Sequence, residues 1–164
     1  MAIAIQNGSN KDNGSKKQYL TFHIGGEKYG IPVLGTREII KAQDFTIHEV
    51  PNFPACHIGV ITLRDKIFSI IDLKMAFDMG TTDIAEKTSI IIVEIQKSDQ
   101  TVMQIGLLVD HVDEVMDFLD SEIEPGASTG QSDADHVVGF GKKKTLNSQE
   151  LVIILCLDTV MSRI

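Results

Sequence analysis

The sequence predicts an all-β protein built from small closed barrels, and three observations lead to this prediction. Apolar stretches rich in Ile and Val are short, and turn-forming residues separate them about every eight to twelve residues. No segment sustains the helical apolar period of roughly 3.6 residues for more than two turns. The second half of the chain also repeats the outline of the first. Short strands at this spacing are typical of barrels and sandwiches.

Length and charge limit the possible architectures and partners. A chain of 164 residues forms one domain, or two small halves that share a core. The net charge is −8, and no Lys or Arg lies between Lys97 and Lys142. An acidic surface repels phosphate groups, and seven Phe, two Tyr and no Trp leave few rings for stacking on bases. Binding to nucleic acid or to anionic lipid is therefore not expected.

The N-terminal third contains a polar segment followed by a predicted hairpin. Residues 1–17 are mostly Asn, Gly, Ser and Lys after the first six, a composition typical of a flexible tail, so order is expected to begin at Gln18. Alternating apolar residues predict a strand over Tyr19–Ile24, the Gly25-Gly26 pair predicts a turn, and Tyr29 begins the return strand. The segment Thr36–Ala42 is compatible with a helix but short, and Phe45–Val50 is predicted to form a further strand.

The stretch Ile58–Phe77 is the most informative part of the chain. It predicts two apolar strands joined by the charged hairpin Arg64-Asp65-Lys66. The second strand ends at Asp72, and Asp is a favourable N-cap, so a helical turn is predicted over Leu73–Phe77.

The second half is predicted to contain further strands, a loop and a helix. Apolar runs predict strands over Ile90–Ile95, Met103–Val109, Val112–Phe118 and Leu151–Leu157. The stretch Glu124–Asp135 is rich in Gly, Ser and Asp and predicts a long loop, and Thr159–Ile164 is expected to form a short C-terminal helix.

An internal repeat supports a duplicated barrel. Three pairs of residues mark it: Gly30 and Gly106, Gly59 and Gly139, and Asp72 and Asp158. Their offsets of 76, 80 and 86 grow where loops can lengthen. The repeat predicts two related halves, residues 19–79 and 88–160, in one domain spanning 18–164. An arrangement of two related barrels indicates a binding protein more than an enzyme.

The cysteines and the hydropathy pattern indicate a cytoplasmic protein. Cys56 and Cys156 are far apart in apolar surroundings and form no CxxC motif, so buried free thiols are expected. No apolar run approaches the roughly 20 residues that a membrane-spanning helix needs. Direct insertion into a membrane is not expected.

Motifs for catalysis, metals and phosphate are weak. The five histidines lack the short spacing of metal ligands, and no Gly-x-Ser-x-Gly pattern is present. The acidic run Asp110–Asp117 suits acid–base work or Ca²⁺, but it lacks the Gly-centred calcium loop, and a solvated acidic face is the simpler interpretation. The sequence Gly139–Lys142 lacks the spacing of a phosphate loop. We expect no enzymatic activity, metal or cofactor.

Glu38 and Arg64 are charged residues in apolar surroundings. If the hairpin tip folds against the segment that contains Glu38, the two side chains form a partly buried pair that can fix a surface for a partner. The alternative is two unrelated surface charges, which contribute less than about 1 kcal/mol even when they meet.

Several motifs resemble one known family in order and spacing. They are Phe22-x-x-Gly25, Tyr29-Gly30-Ile31, Arg37-Glu38-Ile39, Ile58–Arg64, Ile70–Leu73 and Gly106–Asp110. This arrangement is similar to the CheW family of chemotaxis coupling proteins from Gln18 to about Ile164. The hairpin block is the most specific part of the resemblance.

The resemblance implies two intertwined five-stranded SH3-like barrels with short helices and no catalytic activity. It implies an adaptor between the cytoplasmic helical hairpin of chemoreceptors and the CheW-like regulatory domain of the histidine kinase CheA. The receptor hairpin would occupy a groove between the barrels, and the kinase domain would pack on one barrel. The partner-binding residues expected from motif position and apolar character are Glu38, Arg64, Thr36, Ile39, Leu63, Asp65, Ile31 and Val33.

Departures from the family pattern leave the pathway open. Asp65 stands where glycine commonly follows the arginine, so the turn lacks a residue that adopts positive φ without cost, and its carboxylate can compete with Glu38 for Arg64. Thr62, Ser69 and Thr36 also replace commoner residues. A CheW-like scaffold of another chemosensory pathway, such as surface motility or second-messenger control, is the alternative.

Overall fold

The structure is a computed structural model that describes residues 3–4, 16–97, 99–126, 136–144 and 146–162, with residues 3, 4 and 162 described by their backbone alone. The strands of the first half are β1 (Ile3–Ala4), β2 (Lys16–Ile24), β3 (Glu27–Pro32), β4 (Thr36–Lys41), β5 (His57–Leu63) and β6 (Lys66–Asp72). Those of the second half are β7 (Ser89–Gln96), β8 (Val102–Val109), β9 (His111–Leu119), β10 (Ile123–Pro125), β11 (Val137–Lys144) and β12 (Gln149–Leu155). The helices are α1 (Leu73–Ala76) and α2 (Leu157–Ser162), so the all-β prediction is confirmed.

The strands form two sheets that exchange strands between the halves of the chain. Sheet A has the order β1-β4-β7-β8-β6-β5, and sheet B has the order β10-β11-β12-β3-β2-β9. Each sheet therefore takes two strands from the other half. The exchanged strands join through parallel pairs, with Ile70 opposite Gly106 in sheet A and Ile154 opposite Gly30 in sheet B. The predicted intertwined arrangement is confirmed, with one additional short strand at an edge of each sheet.

Among the residues that the structure describes, three apolar clusters correspond to these two sheets and the space between them. Sheet A encloses a cluster around Ile61, Phe68 and Ile90, and sheet B a smaller one around Phe118 and Val152. The largest cluster lies between the sheets and includes both α1 and α2 residues. The apolar run in strand β7 is continuous because both faces of the strand are buried. Ile90 and Ile92 point into sheet A, whereas Ile91, Val93 and Ile95 point towards sheet B.

Matching backbone contacts relate the two sheets. Gly59 and Gly139 each follow a bulge, and a Cβ there would lie 2.3 Å from the carbonyl oxygen of His48 or 2.5 Å from that of Glu124. Gly30 and Gly106 likewise occupy equivalent places, each on the strand that joins its sheet through a parallel pair. The predicted equivalence of Asp72 with Asp158 is wrong.

Asp72 corresponds instead to Cys156. The amide of Asp72 donates to the carbonyl of Cys56 at 2.9 Å, and the amide of Cys156 donates to that of His136 at 2.8 Å. Both residues lie at the junction between a strand and the helix that follows it. The predicted N-cap is confirmed, since the Asp72 carboxylate accepts from the Lys74 amide at 3.0 Å.

Two local predictions in the first half are corrected. The segment Thr36–Lys41 is strand β4 and not a helix, because its buried and exposed residues alternate and it pairs with β7. Tertiary pairing overrides its helical compatibility. The segment Phe45–Val50 forms only an isolated bridge between His48 and Val60 instead of a strand.

The chain ends also differ from the prediction. Strand β2 begins at Lys16, two residues before the predicted start of order, and residues 3–4 pair with β4. Residues 5–15 of the predicted tail lie outside the described residues, as does most of the predicted loop Glu124–Asp135, whose first residues form part of β10. Strand β12 ends at Leu155, so the final helix starts at Leu157 instead of Thr159. No helix in the described ranges is both long and apolar enough to cross a bilayer.

Candidate functional site

The tip of the β5–β6 hairpin is a two-residue turn in an unusual backbone conformation. Leu63 pairs with Lys66, which leaves Arg64 and Asp65 as the turn residues. Their φ angles are 51° and 64°, so both lie in the left-handed region. A turn with positive φ at both central positions matches the twist of a hairpin, but it disfavours residues other than Gly, Asn and Asp. Arg64 thus occupies a position where arginine costs conformational energy.

Arg64 uses this position to reach a buried carboxylate on β4. Its guanidinium donates to Oε1 of Glu38, which confirms the expected ion pair. The Arg64 side chain is 67% exposed, whereas that of Glu38 is only 8% exposed. Within the described ranges, Arg64 pairs with Glu38 and not with Asp65.

The pair leaves one polar atom unsatisfied. Oε2 of Glu38 is buried and has no hydrogen-bond partner among the described residues. A buried carboxylate oxygen without a donor costs free energy, on the order of 1–3 kcal/mol for a polar group and more when it is charged. The tip therefore presents an exposed arginine that is held by a buried carboxylate.

Asp65→Gly is expected to stabilise the fold by about 0.5–1 kcal/mol, because glycine adopts positive φ without the steric cost of a side chain. Thermal unfolding measures the change as a rise in Tm. Asp65→Asn is the matched control, since it removes the carboxylate beside Arg64 and keeps a residue that tolerates this conformation. A gain with asparagine as large as that with glycine would assign the effect to charge instead of backbone strain.

A groove of about 750 Å³ lies on a different surface, between the two sheets. Buried residues from both halves form its floor: Tyr19, Val33, Ile95, Ile154 and Leu155. The exposed apolar side chains of Leu34 and Val138 stand at its rim, with exposed fractions of 78% and 52%. Lys17, Glu94 and Asp158 add charge around it.

The structure separates the eight residues predicted to bind partners. Glu38, Arg64 and the exposed Asp65 lie together at the hairpin tip, with Leu63 half-buried beside them. Ile39 is half-buried against the core between the sheets, and Val33 lies on the groove floor.

Two of these residues, Ile31 and Thr36, are buried. Ile31 has no exposed surface, because its side chain points from β3 into the core between the sheets. Thr36 is also buried, and its hydroxyl donates to the Pro32 carbonyl at 3.1 Å, where it closes the connection between β3 and β4. Both residues support the fold.

The groove rim carries no strong signal at the level of sequence. Leu34 lies in a connection between two strands, where an exposed apolar residue has no packing role. Val138 lies within the bulge of β11, which turns its side chain outward. Only the meeting of distant segments reveals that they share one surface.

The acidic face is held together by a buried lysine. Nζ of Lys28 lies 2.9 Å from Asp113 and 3.4 Å from Glu114, and it also donates to Glu150. These carboxylates are the one group of three or more possible metal ligands in the described residues, and the ammonium already occupies it. Burial alone would lower the pKa of Lys28, but the hydrogen bonds to Glu150 and Asp113 outweigh it and raise that pKa to about 12.

Lys28→Met is expected to destabilise the fold by about 2 kcal/mol at neutral pH, a value below that for fully buried pairs because the carboxylates are partly exposed. The hydrogen bond from Lys28 lowers the pKa of Asp113, so this stabilisation is present above the usual carboxyl pKa and is lost as the pH falls. Denaturant unfolding should therefore show a deficit that shrinks below about pH 4. A second substitution, Glu150→Gln, should recover part of the loss.

The histidines and cysteines match the sequence interpretation only in part. His23 and His111 lie opposite each other on β2 and β9 with ring centres 4.3 Å apart, although they are distant in sequence. Burial, together with the charge of His23, lowers the pKa of His111. In the described part of the chain they belong to no group of three metal ligands. Cys56 and Cys156 are free, as predicted, but only half-buried.

Comparisons with known proteins agree on one family. A model of the CheW-like domain matches residues 18–164. The chemotaxis protein CheW of Helicobacter pylori is 28% identical over 153 residues, covering 93% of this chain and 86% of that protein. That of Bacillus subtilis is 29% identical over 119 residues, covering 73% and 72%. The crystal structure of the scaffolding protein TtCheW from Thermoanaerobacter tengcongensis matches with a TM-score of 0.73 and 33% identity, covering 88% of this chain and 91% of that one.

Proposed function

Because this chain belongs to the CheW-like family, we propose that it is a non-catalytic adaptor that couples the cytoplasmic tips of chemoreceptors to the histidine kinase CheA in chemotaxis signalling. The observation that carries the proposal is the groove between the two sheets, whose floor is built by both halves of the chain. An adaptor needs separate surfaces for its partners, and the groove shares no residue with the Glu38–Arg64 tip.

The groove suits an amphipathic helix from a receptor. It has an apolar floor, apolar side chains at the rim and charges around them. A helix binds such a surface by placing one apolar stripe into the groove while its polar face stays in water. Lys17 and Asp158 offer opposite charges that can orient the helix.

The hairpin tip suits the regulatory domain of the kinase. A strained turn presents Arg64 to solvent, and Glu38 holds its guanidinium in place. Arginine is enriched among residues that dominate protein interfaces, because its planar group forms several hydrogen bonds at once.

Leu34→Glu is expected to weaken binding of a receptor cytoplasmic fragment about tenfold, because it places a charge on the apolar rim of the groove. Affinity for the regulatory domain of CheA should stay unchanged. Calorimetry with each purified partner measures both values. Leu146→Glu is the control, since Leu146 is fully exposed and lies outside the groove and the tip. Equal receptor affinity in wild type and the Leu34 variant would remove the groove from the proposed role.

A further inference from the structure

Strand β1 has no counterpart in the other sheet. The repeat equates β4 with β9, β7 with β2, β8 with β3, β6 with β12 and β5 with β11. Strand β10 flanks β11 at the place where the His48–Val60 bridge flanks β5. In sheet A, β1 flanks β4, whereas the described residues place no strand on the equivalent edge of β9. Strand β1 is therefore not part of the repeated barrel.

The strand covers the part of β4 that carries the candidate site. Ile3 pairs with Ile39 and Ala4 pairs with Glu38 in antiparallel register. The other side of β4 is already paired with β7. The backbone groups of β4 that β1 covers would otherwise form an edge of sheet A, next to the buried carboxylate that holds Arg64.

An edge of this kind accepts an extended segment from another chain. Unpaired backbone N–H and C=O groups bind a strand through ladder hydrogen bonds, and proteins commonly cover such edges. The pairing covers two residues among those that the structure describes, and each net hydrogen bond contributes only about 1 kcal/mol. The cover is therefore weak enough for a partner to displace.

We propose that β1 is a displaceable cover of a strand-binding edge, and that an extended segment of the kinase regulatory domain pairs with β4 in its place. This inference rests on the proposed function, because the kinase domain is the partner assigned to the Glu38–Arg64 tip. The partner's backbone would run beside Glu38, at the position that Ala4 occupies in β1. Release of β1 is then a step in binding.

Ala4→Pro tests the cover in the full-length chain, because proline lacks the backbone donor and disfavours ladder pairing. Hydrogen–deuterium exchange of the peptide covering residues 36–41 should become faster. Ala4→Val keeps the donor and suits a strand, so it should leave exchange unchanged or slower. Deletion of residues 1–4 should reproduce the effect of proline. Unchanged exchange in both the proline variant and the deletion would contradict the proposal that β1 covers the edge of β4.

Affinity for the regulatory domain of CheA tests whether β1 competes with the kinase segment for the edge of β4. The apparent dissociation constant equals the intrinsic constant divided by the open fraction, so cover in about 70–90% of molecules predicts a three- to tenfold gain in affinity for Ala4→Pro. Faster exchange without any gain, while Arg64→Ala still weakens binding, would overturn this inference and leave the proposed function intact. Absence of kinase binding in wild type and all variants would overturn both.

Discussion

Replacing Gly59 with alanine is expected to destabilise the fold by about 4 kcal/mol, the largest stability loss we predict for a single methyl group. The φ angle of Gly59 is 154°, a conformation that residues with a side chain rarely adopt. The added Cβ would also lie 2.3 Å from the His48 carbonyl oxygen. That oxygen accepts from the Val60 amide at 2.9 Å, so it cannot move without loss of the bridge.

Substitutions at two other glycines distinguish the cost of the positive φ angle from the cost of the steric clash. Gly80 has φ of 100°, and no atom lies within 4 Å of the place that a Cβ would take, so Gly80→Ala measures the backbone cost alone, about 1–2 kcal/mol. Gly139 is the equivalent of Gly59 in the second half. A Cβ there would clash with the Glu124 carbonyl, but the φ angle of Gly139 is not positive, so Gly139→Ala measures the clash alone. Urea unfolding of the three variants should rank Gly59→Ala as the most destabilised. A loss at Gly59 no larger than that at Gly80 would contradict the clash.

Arg64→Ala is expected to weaken binding to the regulatory domain of CheA about 30-fold, or about 2 kcal/mol, the range of a residue that dominates an interface. The arginine is exposed on a turn whose conformation is costly, and its removal also leaves the Glu38 carboxylate buried without a cation. Calorimetry measures the affinity, and thermal unfolding should show a smaller loss of about 1 kcal/mol.

A matched control is available on the same strand as Glu38. Arg37 is also exposed and pairs with Glu94, but it lies outside the hairpin tip. Arg37→Ala should change kinase affinity less than about threefold, the range of an exposed surface charge. Arg64→Lys keeps the charge but loses the planar fork, so it should fall between wild type and alanine. Equal losses for the two alanine variants would indicate a general effect of positive charge and not a specific role of Arg64.

Much of the fold is predictable from local sequence. Alternation between apolar and polar residues predicts the core strands within a few residues, and Asp72 predicts the start of α1. The helical interpretation of Thr36–Ala42 is wrong because these residues suit a helix in isolation, and only pairing with β7 makes Thr36–Lys41 a strand. The match of Asp72 with Asp158 fails because loop lengths between the repeats conceal the correct offset.

The candidate site is predictable only where a motif carries it. Glu38 and Arg64 are conspicuous as charges among apolar residues, and the structure brings them together. The predictions for Ile31 and Thr36 rest on apolar character or motif position, which do not indicate which way a side chain points. Leu34 and Val138 escape prediction because neither belongs to a motif.

Local sequence specifies the all-β class, the internal repeat and the charged hairpin tip, because side-chain periodicity and turn residues act over a few neighbouring positions. Contacts between distant strands specify which surfaces those elements form. Strand β3 pairs with β12, more than a hundred residues away, and this exchange assembles the groove from both halves. Periodicity indicates that a residue is buried or exposed, but not which distant strand it faces. For that reason the groove, the buried Lys28 and the cover of β4 emerge only from the folded chain.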